Sequence, residues 1–459
     1  MNFPEPLLNV LATDPGSPVM EHGDRVVTRG ELYALISRLA AALRGRGLGP
    51  GSGLAVRTEV TPEAFAAHMA AHVVGCRVVG IRPGYPPGQL AHVLSMDVDA
   101  RLSDRHNELP GGALLLEDLL HETPTAPELT VTARPGDVAT VTFTSGSTGR
   151  PKGCALTYQG LSAHWAWQPD VWSPVARRFA AAFERYLLFG TLASMVVMEF
   201  VAPCLLGGGT AVIPEDDGRP VFPQAFERYG VTGSIITVAR LHRMLPVGSL
   251  RALMVSGSPI SEKRLREAAE RLGPIVFQGY GQTEAGSISM LTPEELDTAP
   301  GSVGRPHQNV EIDIRAGEIH VRSPYMMSGY WGRPPHDGWI NTRDLGRFED
   351  GHLYLDGRTR DVIMVNAMVV YAGPIERTLA AHPDVAEAYV VGAPDDDTGE
   401  AVHAFVVPAS GGKPRYADLA ALVLRELGAD NVPKTLTLIE EVPVGTSGKP
   451  DKSRLLSIL

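Results

Sequence analysis

The chain has 459 residues, which at about 150 residues per domain predicts about three folding units, or one large domain with a smaller partner. Lysine and arginine total 41 against 52 aspartate and glutamate residues, and this net charge of −11 without a long basic run excludes a general nucleic-acid binder. Glycine (49) and proline (37) are frequent, but 44% of the residues are hydrophobic, which predicts a loop-rich globular protein and excludes a disordered one.

Cysteine usage and hydropathy indicate the compartment. Cys76, Cys154 and Cys204 form no CxxC pair and no zinc-type cluster, so neither a disulfide framework nor a structural metal is expected. The N-terminus carries an acidic residue and two prolines where a signal peptide has a basic start and an apolar run. The most apolar region, 186–214, is interrupted by Glu199 and by glycines, which predicts buried core or pocket wall instead of a membrane span. We therefore expect a cytoplasmic protein with no membrane partner.

The first third of the chain alternates short apolar runs with amphipathic stretches. Thr28 and Glu31 form a capping-box pattern, and the leucines that follow at helical spacing predict a helix to Leu43. A strand at 54–57, a helix opened by residues 61–63, a strand at 78–81 and a helix near 89–95 come next. This order predicts a parallel sheet with crossover helices, whose ligands usually bind where loops leave the carboxyl ends of the strands.

The pattern of predicted elements changes between the middle third of the chain and its last hundred residues. The middle third has predicted strands at 139–143, 234–238, 252–256 and 275–278. The last hundred residues have a predicted strand at 362–370, a helix from Pro374, a hairpin at 388–408 and a helix at 416–427. We predict an α/β fold with a large N-terminal domain of α/β subdomains with parallel or mixed sheets and a small α+β C-terminal domain that begins near Arg358.

A loop rich in glycine and hydroxyl groups follows the strand at 139–143. It reads TSGSTGRPKG, from Thr144 to Gly153. Glycines let several backbone N–H groups point into one concavity, and hydroxyls and cations add further donors, which together suit a polyphosphate. The loop is not a Walker A motif, because Pro151 and Gly153 oppose the immediate start of a helix.

This loop resembles the phosphate-loop signature of the adenylate-forming superfamily, which includes acyl-CoA and aryl-CoA synthetases, luciferases and peptide-synthetase adenylation domains. Six further motifs of that family follow in the expected order: SGSP at 256–259, QGYGQTE at 278–284, GSVG at 301–304, TRDLG at 342–346, GRTRD at 357–361 and SGK at 447–449. Seven matches over about three hundred residues make chance a negligible explanation.

The resemblance implies a role for each matching residue. The phosphate loop would hold the β and γ phosphates of ATP, Thr283 would contact the α-phosphate, and Glu284 would bind Mg²⁺. Tyr280 would stack on adenine. The residues implied for ATP binding are Thr144, Ser145, Gly146, Ser147, Thr148, Gly149, Lys152, Ser256, Gly257, Ser258, Pro259, Gly279, Tyr280, Gly281, Asp344 and Arg358.

Two of these residues and the C-terminus carry the remaining implied roles. Asp344 resembles the carboxylate that accepts the ribose hydroxyls, with Arg358 beside it. Lys449 resembles the lysine that bridges the substrate carboxylate and the α-phosphate, and Arg360 occupies the hinge position. The implied domains are 1–357, which binds ATP and the acyl substrate, and 358–459, which is mobile and delivers the lysine. The implied catalytic residues are Lys449, Thr283 and Glu284.

The substrate and the acceptor are less determined. The stretch around Phe189, Gly190 and Ser194 is the implied substrate pocket. It lacks the aspartate with which peptide-synthetase domains pair the amino group of an α-amino acid, so such a substrate is disfavoured, and its apolar neighbours suit an aromatic or short acyl acid. In the segment that forms the pantetheine tunnel of the family, Ala367 and Ala372 stand where a glycine and a proline are usual. Thioester formation therefore stays open.

We expect adenylation of a carboxylic acid that depends on ATP and Mg²⁺, followed by acyl transfer to CoA or a carrier thiol. Within the family, transfer to an amine or activation of a small oxyanion such as nitrite for diazotisation are alternatives. A nucleotide-binding regulator is the alternative outside enzymes. Retention of Thr283, Glu284, Asp344, Arg358 and Lys449 argues against it, because binding alone does not need the mobile lysine.

Overall fold

The computed structural model describes residues 2–85, 87–122, 129–144, 151–241, 243–257, 260–336, 338–359, 361–365, 368–445 and 450–459. The strands are β1 Pro18–His22, β2 Arg25–Thr28, β3 Gly53–Arg57, β4 Arg77–Gly80, β5 Ala100–Ser103, β6 Leu114–Leu115, β7 Val138–Thr144, β8 Lys152–Thr157, β9 Arg185–Leu187, β10 Thr210–Ile213, β11 Gly233–Thr237, β12 Ala252–Ser256, β13 Val276–Gln282, β14 Gly286–Leu291, β15 Arg305–Pro306, β16 Glu311–Arg315, β17 Glu318–Arg322, β18 Gly329–Tyr330, β19 Ile340–Glu349, β20 His352–Arg358, β21 Val362–Val365, β22 Met368–Tyr371, β23 Val385–Asp395, β24 Gly399–Pro408 and β25 Thr435–Leu438.

Several helices begin at a side-chain cap or a proline that the sequence shows. The helices are α1 Glu5–Ala12, α2 Arg29–Gly45, α3 Pro62–Val73, α4 Pro87–Leu94, α5 Leu116–Glu122, α6 Tyr158–Ala163, α7 Pro174–Ala182, α8 Met195–Leu206, α9 Gln224–Arg228, α10 Val238–Leu241, α11 Glu262–Leu272, α12 Ala372–Ala380, α13 Tyr416–Leu427 and α14 Lys452–Leu455. Those with such a start include α2, α3, α7 and α11. The predicted capping box is present at the start of α2, where the Thr28 side chain accepts from the Glu31 N–H and the Glu31 carboxylate accepts from the Thr28 N–H.

Within the described ranges the strands form four sheets. The first has nine strands in the order β15-β14-β13-β12-β11-β9-β10-β1-β2, and the second has seven in the order β18-β8-β7-β4-β3-β5-β6. The central strands of both are parallel, as predicted, while β13–β14 and β7–β8 pair antiparallel. A four-stranded sheet, β16-β17-β19-β20, follows. The mixed α/β architecture that we predicted is confirmed.

The main hydrophobic core lies between the two large sheets and the helices α2, α3 and α8. The apolar region 186–214, expected to be buried, supplies β9, α8 and β10, and α8 is twelve residues long with Phe200 to Leu206 buried. In the part of the chain that the structure describes, no helix is long and apolar enough to cross a membrane.

The fourth sheet belongs to the C-terminal part, where β22-β21-β24-β23 and β25 pack with α12 and α13 around a small core of their own. The hairpin and the last predicted helix are confirmed as β23–β24 and α13. The prediction of one strand at 362–370 is wrong. The chain forms β21 and β22, which pair antiparallel on either side of residues 366–367, so an apolar run that reads as continuous is folded back on itself.

Candidate active site

The carboxyl ends of parallel strands from both large sheets come together. Phe189 and Gly190 follow β9, Ser256 is the last residue of β12 with Gly257 after it, and β13 ends in the same sheet. The other sheet approaches through Gly80 at the end of β4, where an added Cβ would lie 2.8 Å from the Cβ of Ala193. This is the edge at which ligands of parallel α/β sheets bind.

The phosphate-loop segment is the connection of the β7–β8 hairpin. Thr144 is the last residue of β7 and lies opposite Lys152, the first residue of β8. The Lys152 ammonium lies 5.4 Å from the centre of the Tyr330 ring. Ser145, Gly146, Ser147, Thr148 and Gly149 lie outside the described residues, so their predicted roles stay predictions.

Glu284 is a carboxylate beside this hairpin. Its Oε1 accepts a hydrogen bond of 3.2 Å from the Tyr330 hydroxyl, and the Cys154 thiol of β8 lies beside it. Burial, followed by the negative charge of Glu284, raises the pKa of Cys154, which therefore stays a neutral donor. A half-buried carboxylate with lone pairs to spare is a hard oxygen ligand, so the residues present fit Mg²⁺ held together with substrate phosphates.

Asp344 is buried in β19 and accepts three hydrogen bonds from two strands, β20 and β13. Arg358, opposite it on β20, donates from Nε to Oδ1 at 2.6 Å. On the other oxygen, Oδ2, the Tyr280 hydroxyl donates at 2.7 Å and the Gln282 amide at 2.6 Å. The two residues for which the resemblance implies ribose binding are therefore in direct contact, and both donors to Oδ2 come from the strand that leads to Glu284.

Strand β13, which is predicted to line adenine, is tightly packed at Gly281, whereas the neighbouring end of β12 is open at Gly257. Tyr280 is only 9% exposed, and burial together with Asp344 raises its pKa well above the usual value, so its hydroxyl is a donor. A Cβ on Gly281 would lie 2.6 Å from the Gly286 carbonyl oxygen, whereas one on Gly257, at φ +101°, would meet nothing within 4 Å. Gly279 lies against Met254 of β12. Stacking of Tyr280 on adenine stays a prediction.

The predicted substrate pocket lies at the start of α8. Ser194 is the N-cap residue of this helix, and Gly190 has φ +102°, a conformation that favours glycine. The Arg240 guanidinium lies 5.0 Å from the centre of the Phe189 ring and 5.6 Å from that of Phe222. A cation therefore adjoins the predicted pocket.

A buried polar cluster further along α8 has no counterpart in the sequence predictions. Glu199 Oε1 accepts hydrogen bonds from the Trp165 indole at 2.7 Å and the Ser287 hydroxyl at 2.6 Å, and His164 Nε2 lies 3.9 Å from Oε2. Burial raises the pKa of Glu199 to about 7 in spite of the two donors, which lower it. Ser287 pairs with Gly281 across the β13–β14 hairpin, so the cluster lies directly behind the candidate site.

The remaining predicted site residues are Ser258, Pro259, Arg360 and Lys449, and they lie outside the described residues, as does Ala367. Thr283 is half-buried between Gln282 and Glu284. Sequence reasoning missed the roles of Gln282, Tyr330 and the Glu199 cluster. Only Gln282 had a signal, since it lies inside the QGYGQTE motif.

Residues 9–331 match the AMP-binding enzyme family, and residues 374–449 match the AMP-binding enzyme C-terminal domain. The chain belongs to the AMP-binding enzyme family. Among solved structures of the family, the amide bond synthetase McbA from Marinactinospora thermotolerans is 30% identical with a TM-score of 0.83, and the match covers 98% of this chain and 99% of that one.

Two curated relatives of the family have other acceptors in their names. A feruloyl-CoA synthase of an Amycolatopsis species is 29% identical over 95% of this chain and 94% of its own. The fatty acid–acyl-carrier-protein ligase ScoC of Streptomyces coeruleorubidus is 29% identical over 95% and 92%. Family membership makes the chain an adenylate-forming ligase, which uses ATP and Mg²⁺ and is an enzyme instead of a nucleotide-binding regulator.

Proposed function

We propose that the chain activates an aromatic or short acyl carboxylic acid as its adenylate, with release of pyrophosphate, and then transfers the acyl group to CoA or a carrier thiol. The observation that carries the proposal is the run from Tyr280 to Glu284. It contacts Asp344, the carboxylate expected to meet the ribose, at one end and the Tyr330 hydroxyl at the other. The ring of Tyr330 in turn lies 5.4 Å from the Lys152 ammonium of the phosphate hairpin. In this proposal, one short segment would reach from the ribose to the phosphates of ATP.

Each group has a task in this chemistry. The substrate carboxylate attacks the α-phosphorus of ATP, and pyrophosphate leaves, so cations and hydrogen-bond donors have to converge on the phosphates. Lys152 supplies positive charge there. Glu284 would hold Mg²⁺, which supplies neutralisation of the phosphate charge. Arg240 next to Phe189 adds positive charge near the predicted acid pocket.

The test is acid-dependent ATP–pyrophosphate exchange with a panel of aryl, acyl and amino acids plus nitrite. Exchange with an aryl or short acyl acid supports the proposal. Exchange with nitrite alone would favour the oxyanion alternative, and no exchange with any member of the panel would overturn adenylation by this chain.

Lys449 has the predicted role of bridging the substrate carboxylate and the α-phosphate. We expect Lys449→Ala to reduce exchange by about a hundredfold or more while ATP still binds, because the lysine stabilises charge that develops in the transition state. Lys434→Ala is the matched control, since Lys434 is an exposed lysine of the same C-terminal part that pairs with Asp395. Equal exchange in the two variants would contradict the role of Lys449.

Transfer to an amine is the second candidate acceptor reaction. It is favoured by the likeness to McbA, which is named an amide bond synthetase and matches nearly the full length of both chains. Incubation of the preformed adenylate with free CoA, a carrier thiol or a panel of amines separates the two. A thioester product supports the first candidate, and an amide with no thioester supports the second.

The proposal includes a cytoplasmic location. All three cysteines of the chain are buried and unpaired, as is usual for proteins of a reducing compartment. Fractionation of the source cells with an antibody to the protein tests this, and recovery outside the cytoplasm would contradict it.

A further inference from the structure

The Gln282 side chain donates two hydrogen bonds from one atom, its amide nitrogen. Its Nε2 donates to the Thr342 carbonyl oxygen at 2.8 Å and to Asp344 Oδ2 at 2.6 Å. Both partners are oxygens that only accept, so the amide nitrogen, and not the amide oxygen, has to face them. The side chain is thereby fixed in one orientation and cannot donate these bonds after an amide flip.

The second bond acts on the carboxylate that the ribose is expected to meet. A carboxylate offers about four lone-pair positions, and three on Asp344 are taken by Arg358, Tyr280 and Gln282. Two of the three hydrogen bonds are to Oδ2, and the third, from Arg358, is to Oδ1. The remaining acceptor position is therefore on Oδ1, and its direction depends on the pair of donors that holds Oδ2.

The first bond acts on the strand that carries this carboxylate. The backbone around Asp344 is irregular, since Arg343 has φ +63° and the β19–β20 register shifts after Leu345. The Thr342 hydroxyl accepts from the Asp344 N–H, and Gln282 holds the Thr342 carbonyl. Gln282 thus fixes both the side chain and the backbone of the ribose-site residue from the end of β13.

Gln282 also immediately precedes the predicted phosphate and metal residues. It is the last residue of β13, pairs with Gly286 across the hairpin, and is followed by Thr283 and Glu284. The side chain therefore ties the part of the site expected to bind ribose to the part expected to bind phosphate.

We propose that Gln282 is a positioning residue that holds Asp344 in the orientation in which it accepts a ribose hydroxyl of ATP. The proposal rests on the proposed function, in that the ribose is taken to lie at Asp344. It assigns to Gln282 a share of nucleotide specificity, namely the preference for ATP over a nucleotide that lacks the ribose hydroxyls.

The experiment compares binding of ATP and of 2′,3′-dideoxyATP to the full chain by isothermal titration calorimetry. The variant is Gln282→Met, which keeps the length of the side chain and removes the amide donor. We expect its Kd for ATP to rise about tenfold, as is usual when a hydrogen bond to a charged group is lost. The Kd for dideoxyATP should stay within twofold of wild type, since that nucleotide does not use Asp344.

Two further variants complete the design. Gln168→Met is the matched control, because the half-buried Gln168 amide also donates to a backbone carbonyl oxygen, that of Ser162, away from Asp344. It should leave both Kd values unchanged. Tyr280→Phe removes the other donor to Oδ2 and should lower the preference for ATP in the same direction as Gln282→Met.

The outcomes separate this inference from the proposed function. A purely structural tie between β13 and β19 would weaken both nucleotides equally and lower the melting temperature, and that result would overturn the positioning role. An unchanged preference for ATP in Gln282→Met would overturn it as well, as would a wild type that does not distinguish the two nucleotides. A third outcome separates the two proposals. If wild type prefers ATP over dideoxyATP, Gln282→Met loses this preference, and no acid supports pyrophosphate exchange, the proposed function is overturned and the inference stands.

Discussion

Burial raises the pKa of the Glu199 carboxyl to about 7. The neighbouring histidines do not titrate with it, because burial lowers the pKa of His164 to about 3 and that of His307 to about 4. The other groups that contact the carboxyl, the Trp165 indole and the Ser287 hydroxyl, carry no charge. Glu199 is therefore the group of this cluster that changes charge between pH 4.5 and 8.

The raised pKa of Glu199 makes the stability of the folded protein depend on pH. In the unfolded chain a glutamate ionises near its ordinary pKa of 4.5, so between 4.5 and 7 the folded protein binds more protons than the unfolded chain. Stability is therefore lost as the pH rises through this window, by about 3 kcal/mol for a shift of this size.

We expect Glu199→Gln, which mimics the neutral acid, to be more stable than wild type by several degrees of melting temperature at pH 8 and by less than about one degree at pH 4.5. Differential scanning fluorimetry across this pH range measures the difference. Glu184→Gln is the control, because Glu184 is exposed and pairs with Arg251 at the surface, where ion pairs contribute little, so its effect should be small at both pH values. A Glu199→Gln difference that is the same at both pH values would contradict the argument.

At the scale of elements, the β13–β14 hairpin is the part of the fold on which most of the site depends. It supplies Tyr280, Gln282 and Glu284, and its turn is closed by contact between two backbones. The Cβ of an alanine at 281 would lie 2.6 Å from the Gly286 carbonyl oxygen and 3.1 Å from Ser287 Cα, so backbone would have to move.

We expect Gly281→Ala to destabilise the fold by about 1 to 3 kcal/mol and to weaken ATP binding, because the displaced turn carries Gln282 to Glu284 with it. Melting temperature and calorimetric Kd measure the two effects. Gly248→Ala is the control, since a Cβ at 248 would meet nothing within 4 Å. Normal ATP binding by a folded Gly281→Ala protein would mean that the turn accepts the methyl group without moving the site.

Elements with a local signal could be predicted from the sequence, and contacts between distant elements could not. Strand β12 and helix α13 have the predicted bounds, because apolar runs and helical spacing mark them within a few residues. The cluster of Glu199, Trp165 and Ser287 joins residues up to 122 positions apart with no spacing to reveal it, since 287 − 165 = 122. The contact between Gln282 and Asp344 likewise depends on how β13 and β19 approach, which composition does not encode.

At the scale of the whole molecule, two polar contacts join α11 of the large N-terminal part to the small C-terminal part. Arg264 of α11 pairs with Glu387 of β23 at 2.9 Å, with side chains 15% and 12% exposed, and the Lys263 ammonium donates to the His382 carbonyl oxygen at 3.0 Å. A cavity of about 500 Å³ opens beside these contacts, between α11 and the β23–β24 sheet. Polar and incompletely packed contacts are typical of domains that move relative to one another.

The ion pair between Arg264 and Glu387 is one of the contacts that join the two parts. We expect Glu387→Gln to weaken this contact, and the population with separated domains to rise about tenfold, because the partly buried Arg264 loses its charged partner. Small-angle scattering should then give a larger radius of gyration, and trypsin should cut the connection near Arg358 faster. Glu311→Gln is the control, because Glu311 pairs with Arg322 on the surface of the large part, away from the interface. Equal cleavage rates in the two variants would mean that the packing around the cavity, and not this ion pair, sets the domain orientation.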